Sequence, residues 1–390
     1  MDLLVLLAAK LSFIWEIGIP FLIALTILVF VHELGHYAVA RWSGVKVEVF
    51  SIGFGTEIKG WNDRHGTRWK ISAVPLGGYV KMFGENENVG EGEKERPMTA
   101  EEEAVSFYHK SLMQRAAVVF AGPFINFIFA IFAFAALFAI IGVPQPETDR
   151  PLAVIGMVSP NSAAETAKLQ AGDQIVQIGN EKISFFKDLQ RVIGGNPGKQ
   201  LEIEIVRQGR RIKVNVTPAA KQRTDKSGKS VTYGLLGVSA DPGKVTYVRQ
   251  NVFAALWQGI ERTYSLTVRI LEYIRDIFSG AQSAEELGGV LRIAEISGQV
   301  AELGIASYIS FLAVLSANLG LINLFPIPLL DGGHLAFYAI EAVRGRPLGE
   351  KAQEYGFRLG LMLVVALFLF VTWNDLVHLK FISFITGLFT

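Results

Sequence analysis

Two histidines and a glutamate lie close together in the string His32-Glu33-Leu34-Gly35-His36. On an α-helix, positions i and i+4 lie on one face, so both imidazoles can bind one metal ion. The carboxylate of Glu33 then lies beside that ion and can act as a general base on water. Zinc accepts imidazole nitrogen, whereas magnesium and calcium prefer shells of oxygen ligands, so the pattern predicts a zinc site.

A catalytic zinc ion usually has three protein ligands, and this motif supplies two. The chain has no cysteine, and Trp42 stands where a metzincin would have its third histidine. A second candidate is the string NLFPIPLLDGGH, residues 323–334, in which two prolines interrupt an apolar segment. Irregular backbone at membrane depth is tolerated only where it is buried in protein or lines a cavity. Spacing alone leaves Asp331 and His334 as rival third ligands.

The composition is that of a membrane protein. Hydrophobic residues make up 51% of the 390 residues, charged residues 19%, and the mean hydropathy is +0.35. The net charge of +1 excludes a strongly basic nucleic-acid-binding protein. Four apolar runs are long enough to cross a bilayer, at residues 17–40, 116–143, 305–325 and 357–377. They predict a polytopic α-helical membrane protein with about four transmembrane helices.

The distribution of basic residues predicts the orientation. One basic residue, Lys10, precedes the first apolar run, whereas six lie between positions 41 and 70: Arg41, Lys46, Lys59, Arg64, Arg68 and Lys70. Because basic residues concentrate on the cytoplasmic side, residues 41–115 are expected in the cytoplasm. The loop at 150–240 is then outside, and Asp331 lies at the cytoplasmic end of the third span.

The loops between the spans carry further patterns. Alternation in Leu201–Arg207 and Arg211–Val216, around a Gln-Gly turn, predicts a hairpin in the outer loop. The inner loop predicts three strands, Val45–Phe50, Arg68–Ala73 and Gly78–Met82, followed by an acidic solvated linker at 85–103. Residues 252–278 predict an amphipathic helix that lies on the membrane or caps the bundle.

Residues 160–175 of the outer loop resemble a circularly permuted PDZ domain of bacterial proteases. The matching strings are PNSAA and LQAGDQI. Such a domain binds an extended chain by strand addition, between the strand at 153–158 and the helix at 185–193 in this prediction. The predicted groove residues are Val154, Ile155, Gly156 and Leu189. The alternative is a spacer without a ligand.

The chain as a whole resembles the site-2 proteases, the zinc intramembrane metalloproteases, and within them the bacterial regulator-of-sigma-E protease group. The resemblance covers nearly the whole chain, with one PDZ domain instead of the two of the best-known enterobacterial member. The motifs that carry it, besides the histidine motif, are SIGFG at 51–55, PLGGYVKM at 75–82, GPFIN at 122–126, AELG at 301–304 and NLFPIPLLDGGH at 323–334.

The resemblance implies a role for each matching residue. It makes His32, His36 and Asp331 the zinc ligands and Glu33 the general base. It implies substrate binding by Asn323, Pro326, Pro328, Gly78, Tyr79, Val80 and Asn126. For Asn126, an interhelical hydrogen bond is an equally good interpretation. The strand at 77–82 would clamp an unwound substrate by strand pairing.

The resemblance also implies the surroundings of the protein. Its partners would be the lipid bilayer and single-pass membrane proteins, such as an anti-sigma factor or a signal-peptide remnant, and no nucleic acid. It would lie in the bacterial inner membrane, with the PDZ domain in the periplasm contacting peptide or excluding untrimmed substrates. Two other functions are weaker. A PDZ scaffold with a structural zinc has no need of Glu33, and a metal transporter would have repeated spans.

The predicted fold is therefore an α-helical membrane protein with a membrane-associated β-element and one extracytoplasmic PDZ domain of the α+β class. The predicted order is the first span within 1–43, a cytoplasmic β-region and acidic loop at 44–110, the second span at 111–143, the PDZ domain at 150–240, amphipathic helices at 241–304, the third span at 305–327, the LDGG motif and a cytoplasmic loop at 328–356, and the fourth span at 357–378.

Overall fold

A computed structural model describes residues 14–84, 98–146, 152–159, 162–224, 230–241, 245–281, 284 and 288–378. Most of the predicted acidic linker, residues 85–97, lies outside these ranges. The chain divides into two compact units. The first, here called the helical unit, comprises residues 1–139, 251–273 and 284–390, and the second, the β-rich unit, comprises residues 140–250 and 274–283.

The helices are, in chain order, α1 Ile19–Trp42, α2 Ala100–Val105, α3 Leu112–Ile140, α4 Ala163–Thr166, α5 Phe186–Gly194, α6 Val252–Phe278, α7 Val290–Glu302, α8 Ile305–Asn323, α9 Asp331–Arg344 and α10 Glu350–His378. Among the described residues, four helical segments are long and apolar enough to cross a membrane: Trp15–Trp42, Leu112–Ile140, Ile305–Asn323 and Lys351–Val377. The four predicted apolar runs are thus confirmed as candidate membrane helices. They correspond to α1, α3, α8 and α10.

The strands are β1 Val47–Asn62, β2 Arg68–Met82, β3 Val143–Pro146, β4 Ile155–Val158, β5 Gln174–Ile178, β6 Glu181–Lys182, β7 Leu201–Arg207, β8 Arg210–Val216, β9 Ala219–Thr224, β10 Ser230–Leu235, β11 Val238–Ala240 and β12 Val245–Val248. In the helical unit, β1 pairs with β2. In the β-rich unit the sheets have the orders β6-β5-β7-β8, β10-β9, β11-β4 and β12-β3.

Three of the candidate membrane helices pack closely through small residues. A Cβ atom on Gly35 of α1 would lie 2.3 Å from the carbonyl oxygen of Ala121 in α3. A Cβ atom on Gly320 of α8 would lie 2.8 Å from the carbonyl oxygen of Pro123. Small residues let helix backbones approach in this way when no hydrophobic effect drives helices together. Helices α1 and α8 therefore both lie close to α3.

The inner β-element consists of two long strands, so the prediction of three short ones is wrong in this respect. Strand β2 continues through Pro75 and Gly77, and β1 extends to Asn62. Residues 49–52 of β1 pair with residues 78–81 and also with residues 68–71 of β2. Residues 78–80 of β2 pair with β1 along one edge of β2. The element packs on α1 through a core that includes Phe50 and Val80.

The β-rich unit has its own core, formed by apolar side chains of the sheet and of α5, which include Ile155, Ile175, Leu189 and Ile203. The predicted hairpin is confirmed: β7 and β8 pair in register around Gln208 and Gly209, both with positive φ. Positive φ at two turn residues matches the twist of the flanking strands.

Helix α6 confirms the predicted helix at 252–278, and within the helical unit it packs along a neighbouring helix. A Cβ atom on Gly259 would lie 2.5 Å from the carbonyl oxygen of Ile131 in α3. Another side of α6 exposes the aromatic rings of Phe253, Trp257 and Tyr264. The helix therefore has a small-residue face against α3 and an aromatic face directed away from it.

Candidate metal centre

The two histidines of the first apolar helix converge with Asp331 at one point. The Nε2 atoms of His32 and His36 lie 3.2 Å apart. The carboxylate of Asp331 lies 3.2 Å from Nε2 of His32 and 3.5 Å from Nε2 of His36. Tetrahedral zinc with ligands at about 2.0–2.1 Å would separate neighbouring ligand atoms by about 3.3–3.4 Å. The three donors therefore have the chemistry and the spacing of a zinc site.

The second nitrogen of each histidine ring is also held. His36 Nδ1 lies 2.9 Å from the carbonyl oxygen of Val118 in α3, to which it donates a hydrogen bond. His32 Nδ1 lies 3.0 Å from Nδ2 of the Asn126 side-chain amide. A proton on Nδ1 leaves Nε2 of the same ring with its lone pair free for a metal. Helix α3 thus fixes the orientation of both imidazoles, and the carbonyl of Val118 also fixes the tautomer of His36.

The orientation of the Asn126 amide follows from this tautomer. A metal-bound His32 carries its proton on Nδ1, so Asn126 must present its oxygen as the acceptor. Oxygen and nitrogen of an amide have nearly the same shape, and the hydrogen-bond network decides between them. The other end of the amide then faces the hydroxyl of Ser316, 3.4 Å away, which can accept a hydrogen bond. Asn126 is fully buried against His32.

Glycine 122 makes room for the second histidine. A Cβ atom at this position would lie 2.3 Å from Nε2 of His36. Any side chain at position 122 would therefore displace the ring or the helix that carries it. The sequence motif GPFIN marks this position only by resemblance, and its physical role becomes visible in the packing of α1 against α3.

Asp331 is the first residue of α9, and it follows the irregular segment that leaves α8. A Cβ atom on Gly332 would lie 2.2 Å from the carbonyl oxygen of Phe325, and one on Gly333 would lie 2.5 Å from that of Ile327. Both positions therefore require glycine, because the preceding segment folds back over the start of the helix. This close packing brings Asp331 to the depth of the two histidines.

Glu33, His36 and Asp331 line a cavity of about 510 Å³. Strand β2 contributes Tyr79 and Val80 to its wall. A Cβ atom on Gly78 would lie 3.5 Å from Cγ of Glu33, so this strand passes directly over the glutamate. The wall of this cavity thus contains the carboxylate of Glu33, metal-binding side chains and part of strand β2.

His334, the rival third ligand, also lines the cavity but is not part of the group of ligand atoms that converge. Those atoms, from His32, His36 and Asp331, all lie within 4.8 Å of one another. Burial lowers the pKa of the His334 imidazole, and the carboxylate of Asp331 opposes this effect without cancelling it. His334 therefore favours the neutral form, which can donate or accept a hydrogen bond at the cavity wall.

The predicted substrate-binding residues are distributed unevenly. Tyr79 and Val80 line the cavity, and Gly78 adjoins Glu33. The side chain of Asn126 contacts His32 and is not among the residues that line the cavity. The remaining three, Asn323, Pro326 and Pro328, are not among the residues that line this cavity.

Pro328 packs under the last candidate membrane helix. A Cβ atom on Gly360 of α10 would lie 2.0 Å from its carbonyl oxygen. Asn323 is the final residue of α8 and is partly buried. These residues therefore shape the segment that carries Asp331.

The strand predicted for the peptide groove of the β-rich unit is hydrogen-bonded along both of its edges. The backbone of Ile155 is bonded to Asp173 and Gly172 on one edge, and the carbonyl of Val154 accepts from Asp241 on the other. A Cβ atom on Gly156 would lie 2.6 Å from the carbonyl oxygen of Ala240.

Leu189, the fourth residue predicted for this groove, is 2% exposed and belongs to the core of the β-rich unit. The strand at 153–158 has β11 on one edge and residues 172–175 on the other.

Two residues outside the predictions complete the cavity. Arg115 of α3 forms an ion pair with Glu341 of α9, at 2.6 Å, and both side chains are largely buried. The guanidinium lies over the rings of Tyr108 and Tyr338. In the sequence, Arg115 directly precedes an apolar run, and a basic residue in that place indicates only membrane orientation. Its partner lies 226 positions away, so sequence spacing gives no indication of the pair.

The fold and the centre together define a class: a helical membrane protein with a metallopeptidase site. The chain belongs to peptidase family M50, the site-2 protease family, whose profile matches residues 20–367. It is a zinc metalloprotease, as the names of its relatives describe. The family assignment predicted from the motifs is confirmed.

The relatives cover nearly the whole chain. A candidate zinc metalloprotease of Agrobacterium fabrum is 43% identical over 364 residues, which cover 92% of this chain and 95% of that protein. A protein of the same description from Rhizobium meliloti is 43% identical over 360 residues, covering 91% and 95%. The regulator of sigma-E protease RseP of Escherichia coli is 33% identical, covering 94% of this chain and 99% of that protein.

Among solved structures, a PDZ domain of an SdrC-like protein from Listeria monocytogenes matches 24% of this chain and 90% of its own, at 17% identity and a TM-score of 0.18.

Proposed function

We propose that this zinc metalloprotease is an intramembrane endopeptidase that cleaves the transmembrane segments of single-pass membrane proteins. The observation that carries the proposal is the convergence of His32, His36 and Asp331 beside Glu33. These residues lie on or next to helices that are apolar enough to cross a membrane. Ionisable side chains at such a depth are costly unless they are paired or bind a metal, so the cluster argues for function.

The zinc ligands in this proposal are Nε2 of His32, Nε2 of His36 and the carboxylate of Asp331. When bound there, a zinc ion would polarise the scissile carbonyl group and acidify the attacking water. The carbonyl of Val118 holds His36 in the tautomer that metal binding requires, and Asn126 does the same for His32 when its amide oxygen faces Nδ1.

Glu33 is the proposed general base. It shares the cavity wall with His36 and Asp331, so a water molecule beside these ligands is within its reach. Its carboxylate takes a proton from this water and later delivers it to the nitrogen of the leaving amine. The carboxylate returns to its initial state, and the proton count of the reaction balances.

Strand β2 is the proposed clamp for the substrate. The amides of a transmembrane helix are bonded within the helix, so a substrate must unwind before its scissile carbonyl can react. Residues Gly78, Tyr79 and Val80 lie next to Glu33 or line the cavity, and an unwound segment would pair with the edge that β1 leaves unoccupied. Asn323, Pro326 and Pro328 are proposed as further contacts on the segment between α8 and α9.

The proposed location is the bacterial inner membrane, with the metal centre near the cytoplasmic side and the β-rich unit in the periplasm. The basic residues that follow the first span support this orientation. The similarity to a regulator of sigma-E protease supports an anti-sigma factor or a signal-peptide remnant as substrate.

The β-rich unit is proposed to be a PDZ domain that contacts the outer part of the substrate or excludes untrimmed substrates. Its peptide groove is proposed to lie beside β11, which pairs with β4. Deletion of residues 150–240 should then increase cleavage of an untrimmed substrate. Unchanged cleavage, with zinc content retained, would contradict this part of the proposal.

The test of the main proposal is cleavage of a single-span substrate by purified protein in detergent. The Glu33→Gln variant should retain one zinc per chain and lose cleavage by about 10²–10⁴-fold, the range of general-base catalysis. Glu261→Gln, the same change on an exposed face of α6, is the matched control and should cleave as the wild type does. Equal cleavage by Glu33→Gln and wild type would overturn the assignment of the base.

A further inference from the structure

The turn that precedes Asp331 contains a leucine where a glycine is expected. The N–H of Leu330 donates to the carbonyl oxygen of Ile327 at 3.0 Å, which closes a four-residue turn. Pro328 occupies the second position, and Leu329 occupies the third with a φ of 96°. Proline followed by a residue with positive φ is the pattern of a type II turn, whose third position favours glycine or asparagine. The leucine is therefore strained.

Packing does not compensate for this strain. Leu329 is 46% exposed, so it contributes little to a hydrophobic core. Two other described residues that are not glycine have positive φ, Lys168 and Gln208, and both are polar, exposed and at φ values of 57° and 50°. Those values lie in the ordinary left-handed region, whereas Leu329 lies well outside it. A strained residue that packing does not require suggests a functional role.

The position of Leu329 indicates what that role is. Leu329 lines the same cavity as Glu33, Asp331 and His334. It lies two residues before Asp331 on a turn that is packed against α9 and α10, so it cannot move freely away. Further apolar wall is supplied by Phe337 and Phe357. A peptide whose scissile bond lies at the metal centre would direct a neighbouring side chain into this cavity, against Leu329.

We propose that Leu329 is a specificity-determining residue, which limits the size of the substrate side chain next to the cleaved bond. The inference rests on the proposed endopeptidase function and adds to it a selection step at a named wall of the cavity. A leucine side chain at this position reduces the space available, so glycine would admit larger side chains and phenylalanine would admit only smaller ones. The strained backbone keeps this wall at a fixed distance from the metal ligands.

The experiment compares two substrates, with alanine or phenylalanine at a position flanking the cleaved bond. The bond is located first by mass spectrometry of wild-type products, and both flanking positions are substituted in turn. Leu329→Gly should raise the ratio of kcat/KM for the phenylalanine over the alanine substrate by roughly tenfold or more, and Leu329→Phe should lower it. Leu329→Gly also relieves the strained φ, so this variant should fold and retain zinc.

The matched control is Gln208→Gly, which replaces another residue of positive φ, in the β7–β8 turn, and should leave the ratio within about twofold of the wild-type value. An unchanged ratio in both Leu329 variants, with zinc bound and wild type active, would overturn the inference. A shift in the same direction for glycine and phenylalanine would also overturn it. Failure of the proposed function looks different: wild type and Glu33→Gln would then be equally inactive on every substrate.

Discussion

The two sides of the metal centre are built from different kinds of backbone. On one side, His32 and His36 are one helical turn apart on α1, and regular helix geometry alone brings them together. On the other side, Asp331 follows an irregular segment with a strained turn and two glycines packed against backbone carbonyls. A regular helix sets the spacing of its own side chains, whereas a loop ligand depends on contacts made by many neighbours. A change in a neighbouring element should therefore act on the helical side by displacing an imidazole ring, and on the loop side by shifting the backbone that carries Asp331.

One ion pair connects the two sides. Arg115 belongs to α3, the helix that holds both imidazoles, and Glu341 belongs to α9, the helix that begins with Asp331. Both side chains are largely buried, and the guanidinium is further held by two tyrosine rings. Loss of one partner would leave a charge unpaired at the cavity wall. This contact thus stabilises the relative position of the two sides.

The largest effect is expected from a methyl group on the helical side. Gly122→Ala places a Cβ atom 2.3 Å from Nε2 of His36, whose ring is held in place by Val118. Zinc affinity should fall by about 100-fold, which a competition titration with a chelator measures. Gly194→Ala, where nothing lies within 4 Å, is the control and should bind zinc normally. Unchanged affinity in Gly122→Ala would mean that the ring adapts easily.

The corresponding change on the loop side is Gly333→Ala. Its Cβ atom would lie 2.5 Å from the carbonyl oxygen of Ile327, so the turn before Asp331 must shift. We expect about tenfold weaker zinc binding and a loss of about 1–3 kcal/mol in unfolding free energy, measured by denaturant titration. If Gly333→Ala weakens zinc binding more than Gly122→Ala does, the order of effects is reversed and the loop is the dominant determinant.

A smaller effect is expected from the amide behind the first histidine. Asn126→Ala leaves Nδ1 of His32 without its acceptor, so zinc affinity should fall by about tenfold. Asn126→Asp keeps an acceptor and should restore most of the affinity. The alternative role, in substrate binding, makes a different prediction: KM would rise in Asn126→Ala while zinc affinity stayed the same. Measuring both quantities separates the two roles.

The smallest effect concerns the β-element and depends on pH. Asp63 accepts hydrogen bonds from Tyr37 at 2.7 Å and Trp69 at 3.1 Å, and from the backbone N–H groups of His65 and Thr67. Burial raises the pKa of this carboxyl group, but the hydrogen bonds outweigh burial and hold its pKa well below the usual range. The ionised form therefore stabilises the contact between the β1–β2 turn and α1.

Because the folded-state pKa is depressed, this contribution is present above about pH 4 and is lost as the pH falls further. Asp63→Asn should therefore lower the thermal unfolding temperature at pH 7, and the difference from wild type should shrink between pH 4 and pH 3. A difference that is independent of pH would show that the charge of Asp63 does not contribute. Zinc affinity at pH 7 should change little in this variant.

The sequence predicted the parts of the protein that follow from local pattern. The spacing of His32 and His36 needs only a helix, the apolar runs need only length, and the hairpin around Gln208 needs only alternation and a turn. Contacts between distant elements are different. The carbonyl of Val118 behind His36, and the space that Gly122 leaves, depend on how α3 approaches α1, which no single segment encodes.

Two errors have the same physical origin. The strand at 153–158 was predicted to offer a free edge, but β11, more than 80 positions later, occupies one edge of it. The inner β-element was predicted to break into separate strands around Pro75 and Gly77, yet β2 runs from Arg68 to Met82, and the stretches on both sides of these two residues pair with β1. Local breaking signals predict where a strand can bend, whereas the partner strand determines whether it continues. The strain at Leu329 likewise violates a local rule and could be found only in the structure.

The central claim is that two segments almost 300 positions apart bind one zinc ion beside Glu33. The most direct test is zinc K-edge X-ray absorption, together with zinc content, on wild type and Asp331→Ala. The predicted result is one zinc per wild-type chain, with two imidazole nitrogens and a carboxylate oxygen, and loss of the carboxylate and of tight binding in Asp331→Ala. Three imidazole nitrogens in both proteins, with unchanged zinc affinity in Asp331→Ala, would contradict the account and make His334 the third ligand instead.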